Sequence, residues 1–402
     1  MNVLYLVHRL PYPPDKGDRI RAYHLLKYLT QHARVHLAAL ADEPVDPAAV
    51  RALERRCERV AVVRLRWLRW LRGLASLAAG GTVTEGVFHS PELCRVLREW
   101  TQTMHYDLAL ASASSMVPYL RRAELRDVPA VIDLVDVDSQ KWFDYAAGRR
   151  GPKAWLYRTE GRRLRQLEQG LPTWARAVTL VSTGEAALYR RFCAPGPVHA
   201  VTNGVDLDYF HLLPPSSEPA CVFVGALDYH PNVDGVCWFG AQVWPELRRR
   251  QPDARLYLVG RRPAPAVQRL AELPGVEVVG PVPDVRPYLQ RAAVAIVPLR
   301  IARGVQNKVL EALATGRAAV VSPEALAGLQ AEPGVHLLSA ATPREWVEAT
   351  LRLLGDAELR RQLGRAGRQY VEENHCWDRC LDALLPLLKE PVEKMTGDAV
   401  TR

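Results

Sequence analysis

Short apolar runs alternate with helical patterns twice along this chain, and the second round restarts after the proline- and serine-rich stretch Leu212-Leu-Pro-Pro-Ser-Ser-Glu-Pro219. A strand buried on both faces reads as a continuous apolar run, and strands separated by helices form a parallel, doubly wound sheet. The first round predicts strands over residues 3–8, 35–41, 59–65, 107–111, 130–134, 177–181 and 198–202, with helices over 19–30, 91–104, 155–170 and 185–192. The second predicts strands over 220–224, 255–259, 276–279, 294–297 and 318–321, with helices over 234–250, 285–291, 305–314, 343–354 and 357–373. The expected fold class is α/β: two Rossmann-like, doubly wound parallel-sheet domains, 1–213 and 219–379, facing a central cleft. A length of 402 residues is enough for two such cores.

The run Ala292-Ala-Val-Ala-Ile-Val297 leads into Pro298-Leu-Arg-Ile-Ala-Arg-Gly-Val-Gln-Asn-Lys-Val-Leu-Glu311. This reads as a buried strand, a turn through Gly304, and a helix that opens near Gln306. Such a turn presents unpaired backbone N–H groups, here at Gly304, Val305 and Gln306, beside the positive end of a helix dipole. That suits a phosphate or diphosphate. Lys308 adds a point charge in the first turn. One turn further, the carboxylate of Glu311 is placed to accept hydrogen bonds from both hydroxyls of a ribose. The plain alternative is a strand–turn–helix connection with a solvated lysine.

The segment resembles the donor-binding signature of glycosyltransferase family 4, retaining enzymes of the GT-B fold. That signature usually carries two glutamates separated by seven residues; here the second is Glu311 and the first position is Arg303. Arginine accepts no hydrogen bond, so Arg303 would meet the diphosphate or an acidic sugar instead. Three more stretches carry the likeness: Pro11-Tyr-Pro-Pro-Asp-Lys-Gly-Asp-Arg19, Asn203-Gly-Val-Asp206 and Val222-Phe-Val-Gly-Ala226. The wording of 133–141 and 300–311 most resembles the sugar transferases associated with PEP-CTERM/exosortase systems in exopolysaccharide-producing bacteria.

The resemblance implies a nucleoside-diphosphate sugar as donor and an acceptor hydroxyl, on a lipid-linked or other saccharide, in exopolysaccharide or cell-surface glycan synthesis. No metal or other cofactor is implied. Gly17 would let the loop before the first helix approach a phosphate, with Lys16, Asp18 and Arg21 beside it. Gly225 would end the first strand of the second domain. The Arg and Lys that relatives often bring to the diphosphate after that strand are missing, which leaves Arg300, Arg303 and Lys308, with His230 or Asn232 as lesser donors. Val282 would contact the base. A last helix over 380–388 would pack back on the first domain, and the polar tail 389–402 is expected to be disordered. Of Asp133, Asp136 and Asp138, Asp136 is the candidate to face the cleft and assist catalysis. Alternatives are a nucleotide-sugar 2-epimerase on the same fold, or a non-catalytic nucleotide-sugar-binding partner in a polysaccharide assembly complex. A dehydrogenase is disfavoured because no strand runs into Gly-x-Gly-x-x-Gly.

The net charge of +9 and pI near 9.3 favour an anionic partner. No nucleic-acid motif accompanies that charge. The seven cysteines are scattered, as in a reduced, cytoplasmic protein. The stretch 64–74 gives the charge a place. Drawn as a helix, it sets Trp67, Leu68, Trp70, Leu71 and Leu74 on one face, and Arg66, Arg69 and Arg72 on the other. A basic amphipathic stretch with indoles suits an anionic membrane surface, so peripheral attachment to the inner face of the cytoplasmic membrane is expected. Its plain alternative is a core-packing helix with a solvated arginine face.

Overall fold

The structure, a computed structural model, describes residues 1–15, 17–147 and 149–389. Lys16 and the tail from Glu390 on, both of which carried expectations, lie outside the described residues. The chain divides into two compact units, Met1–Val201 with the chain from Leu381 on, and Thr202–Cys380.

The first unit holds seven strands: β1 (Asn2–Val7), β2 (Arg34–Ala41), β3 (Arg59–Arg64), β4 (Leu108–Ser112), β5 (Ala130–Val135), β6 (Ala177–Leu180) and β7 (Val198–Ala200). Their spatial order is β3-β2-β1-β4-β5-β6-β7, and every pairing is parallel. The second unit holds β8 (Ala220–Val224), β9 (Arg255–Val259), β10 (Val276–Gly280), β11 (Val294–Val297), β12 (Ala318–Val321) and the short β13 (Leu338–Ser339), in the order β10-β9-β8-β11-β12-β13, again parallel. In both sheets the order reverses once, between β1 and β4 and between β8 and β11. Such a reversal opens a crevice at the carboxyl ends of the strands, where ligands of these folds bind.

The apolar runs are strands because helices cover both faces. Leu4, Leu6, Ala109, Ala111 and Ile132 are completely buried in the first sheet, as are Leu256, Leu258, Val294 and Val320 in the second. Each large aliphatic chain so buried contributes roughly 1.5–3 kcal/mol.

Four differences from the sequence reading have local causes. The helix expected over 234–250 is two, His230–Gln242 and Trp244–Arg250, because Pro245 cannot continue a helical hydrogen-bond ladder. The helix after the Gly304 turn begins at Asn307, with Gln306 extended as its cap residue. The stretch 202–213 is stitched to the second unit, not the first. His375 Nδ1 lies 2.9 Å from Asn203 O, Arg368 Nη1 donates to Phe210 O at 2.7 Å, and Leu213 N donates to Thr315 O at 3.1 Å. The helix expected over 380–388 is two short pieces, Trp377–Asp382 and Leu385–Lys389. Within the first unit Tyr28 donates to Asp382 (2.9 Å) and Arg176 to Leu388 O (3.2 Å).

Candidate functional site

At the β8/β11 reversal the second unit presents Gly225, just past β8, and the loop 298–306, just past β11. The ends of β8 and β9 are close. A Cβ added to Gly260, after β9, would lie 1.7 Å from Gly225 O, so a side chain there would push the strand ends apart. Gly304 turns with φ +59°, a conformation that suits glycine. Behind it, a Cβ on Gly328 would lie 2.0 Å from Gly304 O. The helix Asn307–Ala314 then starts with no side chain capping it, whereas Thr342 and Asp356 cap the helices that follow them in this unit. Its first amides are therefore left to a ligand or to water.

Lys308 and Glu311 stand one turn apart on this helix, each half-buried. Lys308 Nζ donates to Gln306 Oε1 at 3.1 Å, and Gln306 Nε2 donates to Arg303 O at 2.7 Å. The Glu311 carboxylate has no hydrogen-bond or ion-pair partner among the described residues. Burial pulls the Lys308 ammonium down to about 8, with the Glu311 charge opposing. Burial pushes the Glu311 carboxyl up to about 7, with Lys308 opposing. Two groups shifted by burial beside an uncapped helix start mark a candidate functional site. Val305 turns into the core, so only its amide is offered.

The remaining donor-side residues divide. Arg303 is half-buried beside Gly304. Arg300 is exposed and forms a two-pronged pair with Asp234 (2.6 and 2.9 Å), so its charge is already met. Asn232 is buried; its Nδ2 donates to Ala226 O at 2.8 Å while its Oδ1 has no partner among the described residues. His230 is exposed at the start of its helix. Val282 is half-buried in the loop after β10. Beside it lies a cluster that the sequence did not announce. Tyr209 donates to Asp284 Oδ1 (3.0 Å), and the Arg286 guanidinium lies 4.2 Å from the Tyr209 ring centre. The Arg286 hydrogen bond holds the Asp284 carboxyl down at about 2, and the Glu311 charge is felt at Tyr209. The contact joins residues 75 apart in sequence, so no local pattern could reveal it.

In the first unit Gly17 opens the helix Gly17–His32, and a Cβ there would meet nothing within 4 Å. Asp18 is paired with Arg9 (2.6 Å) and His8 (3.4 Å), and these partners hold its carboxyl well below the usual range against the opposing effect of burial. Arg21 is inside the protein, with Asp133 accepting from its Nε and Nη2 (2.8 and 2.7 Å), so it is structural. Thr179 also donates to Asp133. Asp138 accepts from Ser114 Oγ at 2.5 Å. Neither Asp133 nor Asp138 belongs to a metal cluster: no group of three or more His, Cys, Asp or Glu suited to a metal occurs among the described residues.

Asp136 follows a strained turn. Asp136 N donates to Leu134 O at 2.9 Å, and Val135 between them has φ +68°. That is the rare hand of the γ-turn, occupied by a β-branched residue. Two glutamates grip the next amides: Glu185 accepts from Val137 N (2.9 Å) and Glu168 from Ser139 N (3.0 Å). Burial, then the Glu185 charge, raises the Asp136 carboxyl to about 6.

The stretch 64–74 is not core. β3 ends at Arg64, and a helix runs over Arg69–Ala78. Trp67 is 77% exposed, Trp70 60%, and Leu71 and Leu74 57% each. Arg66 is exposed, Arg69 lies over the Trp70 ring at 5.6 Å, and Arg72 donates to His89 O at 2.7 Å. The end of this helix and the start of the next, Val83–Phe88, are tied to the helix Pro152–Gln169. Arg163 donates to Leu77 O and Gly81 O, and Glu160 accepts from Val83 N and Thr84 N. No helix among the described residues is long and apolar enough to cross a membrane.

Comparison with known proteins agrees with the fold. Residues 218–356 match the family model of glycosyl transferases group 1. The glycosyltransferase 1 domain-containing protein 1 of Xenopus tropicalis is 24% identical over 155 residues, which span 34% of this chain and 42% of that protein. Among solved structures, sucrose-phosphate synthase of Thermosynechococcus elongatus superposes with a TM-score of 0.70 at 17% identity, covering 96% of this chain and 98% of that one. Anabaena HepE, solved with UDP-glucose, gives 0.66 at 15% identity over 96% and 99%. The fold is that of GT-B glycosyltransferases, with two Rossmann-like parallel sheets.

Proposed function

We propose that this protein is a retaining glycosyltransferase that moves a sugar from a nucleoside-diphosphate donor to an acceptor hydroxyl, on a lipid-linked saccharide in exopolysaccharide or cell-surface glycan synthesis. The observation that carries the reading is the uncapped helix start at Asn307, with Lys308 charged beside it and the Glu311 carboxylate unpartnered one turn on. It lies at the sheet reversal, inside the stretch that matches the group 1 transferases. HepE's complex with UDP-glucose supports a nucleotide sugar as donor. In this reading the amides of 304–308 with Arg303 and Lys308 stabilise the departing diphosphate by preorganised charge. Glu311 holds the ribose and Val282 meets the base. Departure aided this way needs neither metal nor cofactor, and Asp136 assists at the acceptor.

The test is calorimetry with UDP and UDP-glucose, followed by measurement of UDP release with acceptor mixtures from polysaccharide-producing bacteria. Micromolar UDP binding with acceptor-dependent release supports the reading. Binding without release by an intact protein would favour the non-catalytic partner, for which Arg303 in the glutamate position is the motive. The exposed indole and leucine face over 67–74 supports a second element of the proposal, peripheral docking on the inner face of the cytoplasmic membrane. The core-packing alternative would have buried that face.

A further inference from the structure

We propose that His375 and Asn203 are positioning residues of the nucleotide site: His375 holds Asn203, and Asn203 holds the first residue of the helix Asn307–Ala314. The part they play in binding rests on the transferase reading; the tie itself does not. All the residues concerned lie in the second unit. His375, Asn203 and Tyr370 are each only 5% exposed, although 172 positions separate the first two in sequence. Buried polar groups far apart in the chain are retained where their bonds fix something.

The bonds run in one direction. His375 Nδ1 lies 2.9 Å from Asn203 O, a carbonyl that can only accept, so Nδ1 carries the proton. Burial pulls the imidazole below its ordinary value, against the lift from that carbonyl, and keeps it neutral. Nε2 is then an acceptor, and the Tyr370 hydroxyl donates to it at 2.9 Å. The same hydroxyl accepts from Gln330 N at 3.0 Å. At the other end, Asn203 Nδ2 donates to Asn307 Oδ1 at 3.1 Å. Gln330 stands two residues past Gly328, which backs the Gly304 carbonyl. The chain of bonds therefore joins the segment behind the Gly304 turn to the helix start.

That helix start needs an external support. Gln306 caps it with no side-chain bond, so its first turn lacks the lock that Thr342 and Asp356 give to later helices of this unit. A frayed turn scatters the amides offered to a diphosphate, and binding must then reorder them at a cost in affinity. Asn203 restrains the turn through a side chain and leaves its backbone amides unused. Asn203 has little room to shift. Val205 N donates to His375 O at 2.8 Å, and a Cβ on Gly204 would lie 2.6 Å from Trp377 N. The plain alternative is that the network only stitches 202–205 to the end of the helix Ala357–Asn374.

The test is amide hydrogen exchange without ligand, with calorimetry of UDP and uridine, on the full chain and three variants. Asn203→Ala removes the bond to Asn307 but keeps the carbonyl that His375 holds. His375→Leu removes the donor to that carbonyl, and His375→Asn supplies an amide N–H in its place. The first two should quicken exchange at Val309 and Leu310, whose amides close the first turn on Gln306 O. They should weaken UDP by about threefold to tenfold, the scale of one neutral hydrogen bond, and uridine by less than about twofold. His375→Asn should recover both towards wild type. Nitrogen-15 NMR should show His375 Nδ1 protonated and Nε2 bare; the reverse tautomer overturns the proposal. So do exchange and UDP affinity unchanged in Asn203→Ala, the smaller lesion, which stays decisive if His375→Leu folds poorly. Equal losses of UDP and uridine would assign the network to the fold alone and overturn it as well. Failure of UDP to bind the wild-type chain, with exchange still quickened by Asn203→Ala, would instead remove the transferase reading and leave the tie standing.

Discussion

The two sheets share one strand order, yet their carboxyl ends are finished in opposite ways. After β5 the backbone amides at the start of the next helix are already answered, Val137 by Glu185 and Ser139 by Glu168. After β11 the helix start has no cap, and the nearest charges are a lysine bonded to a neutral amide and a glutamate without a partner. A helix N-terminus attracts an anion only where the protein has not supplied one itself. The first unit therefore has its negative charge built in. The second leaves its helix start without a side-chain cap, where the proposal puts the diphosphate. Shared topology locates both crevices; side chains from distant parts of the chain decide what each can hold.

That contrast can be broken most severely in the first unit. Arg21→Ala strands the Asp133 carboxylate in a fully buried position, and it should cost about 3–5 kcal/mol of stability, the range for breaking a buried pair. Chemical denaturation measures it, and a loss below about 1 kcal/mol would show that water reaches Asp133. In the second unit Glu311→Ala should cost no stability, because the wild-type carboxylate is desolvated and unpaired, but should weaken UDP binding by about 1.5–3 kcal/mol. A drop in melting temperature with UDP affinity intact would reverse the contrast.

Lys308→Gln and Arg303→Gln should each weaken UDP by about tenfold, roughly 1.4 kcal/mol, and uridine far less. Equal losses for both ligands would mean a distorted site in place of a lost phosphate contact. The pH dependence of UDP affinity sharpens the same point. Glu311 offers the ribose two strong acceptor oxygens only when ionised, and its carboxyl is pushed up to about 7, so affinity should fall as pH drops through 7. Lys308 is held down at about 8, so affinity should also fall as pH rises through 8. Glu311→Gln should remove the acid limb alone. A flat profile from pH 6 to 9 would contradict both assignments.

The smallest effect belongs to the exposed face of the first unit. Docking of Trp67, Trp70, Leu71 and Leu74 should require anionic vesicles, with Arg66 and Arg69 contributing about 1 kcal/mol each near the surface. It should weaken with salt as the ~10 Å screening length at 0.1 M shortens. Arg72, tied to His89 O, should contribute least. Equal co-sedimentation of wild type and a folded Trp67→Ser, Trp70→Ser variant would leave the face as a contact for another copy of the chain or for nothing.

Much of the fold was legible because parallel strands are buried on both faces. The runs from Val3 to Val7 and from Val294 to Val297 needed no partner to be recognised. β13 was missed because two residues carry no pattern. The helix Asp138–Ala146 was missed because the carboxylates holding its start come from 29 and 48 residues away. The placing of Lys308 and Glu311 one turn apart was legible because helix geometry fixes it locally. The engagement of Arg300 by Asp234, 66 residues apart, was not.

The close approach of Gly328 to Gly304 O means that the loop before the helix Asn307–Ala314 is shaped from its reverse side. The loop's amides face outward only while nothing stands between these two backbones. A single methyl at 328 would act as a wedge, turning the carbonyl of Gly304 and with it the peptide plane that carries the Val305 amide. On the proposed reading, such a lesion would weaken UDP binding from behind the loop. In any survey of inactive variants, residue 328 would look like a binding residue although its part is to leave space.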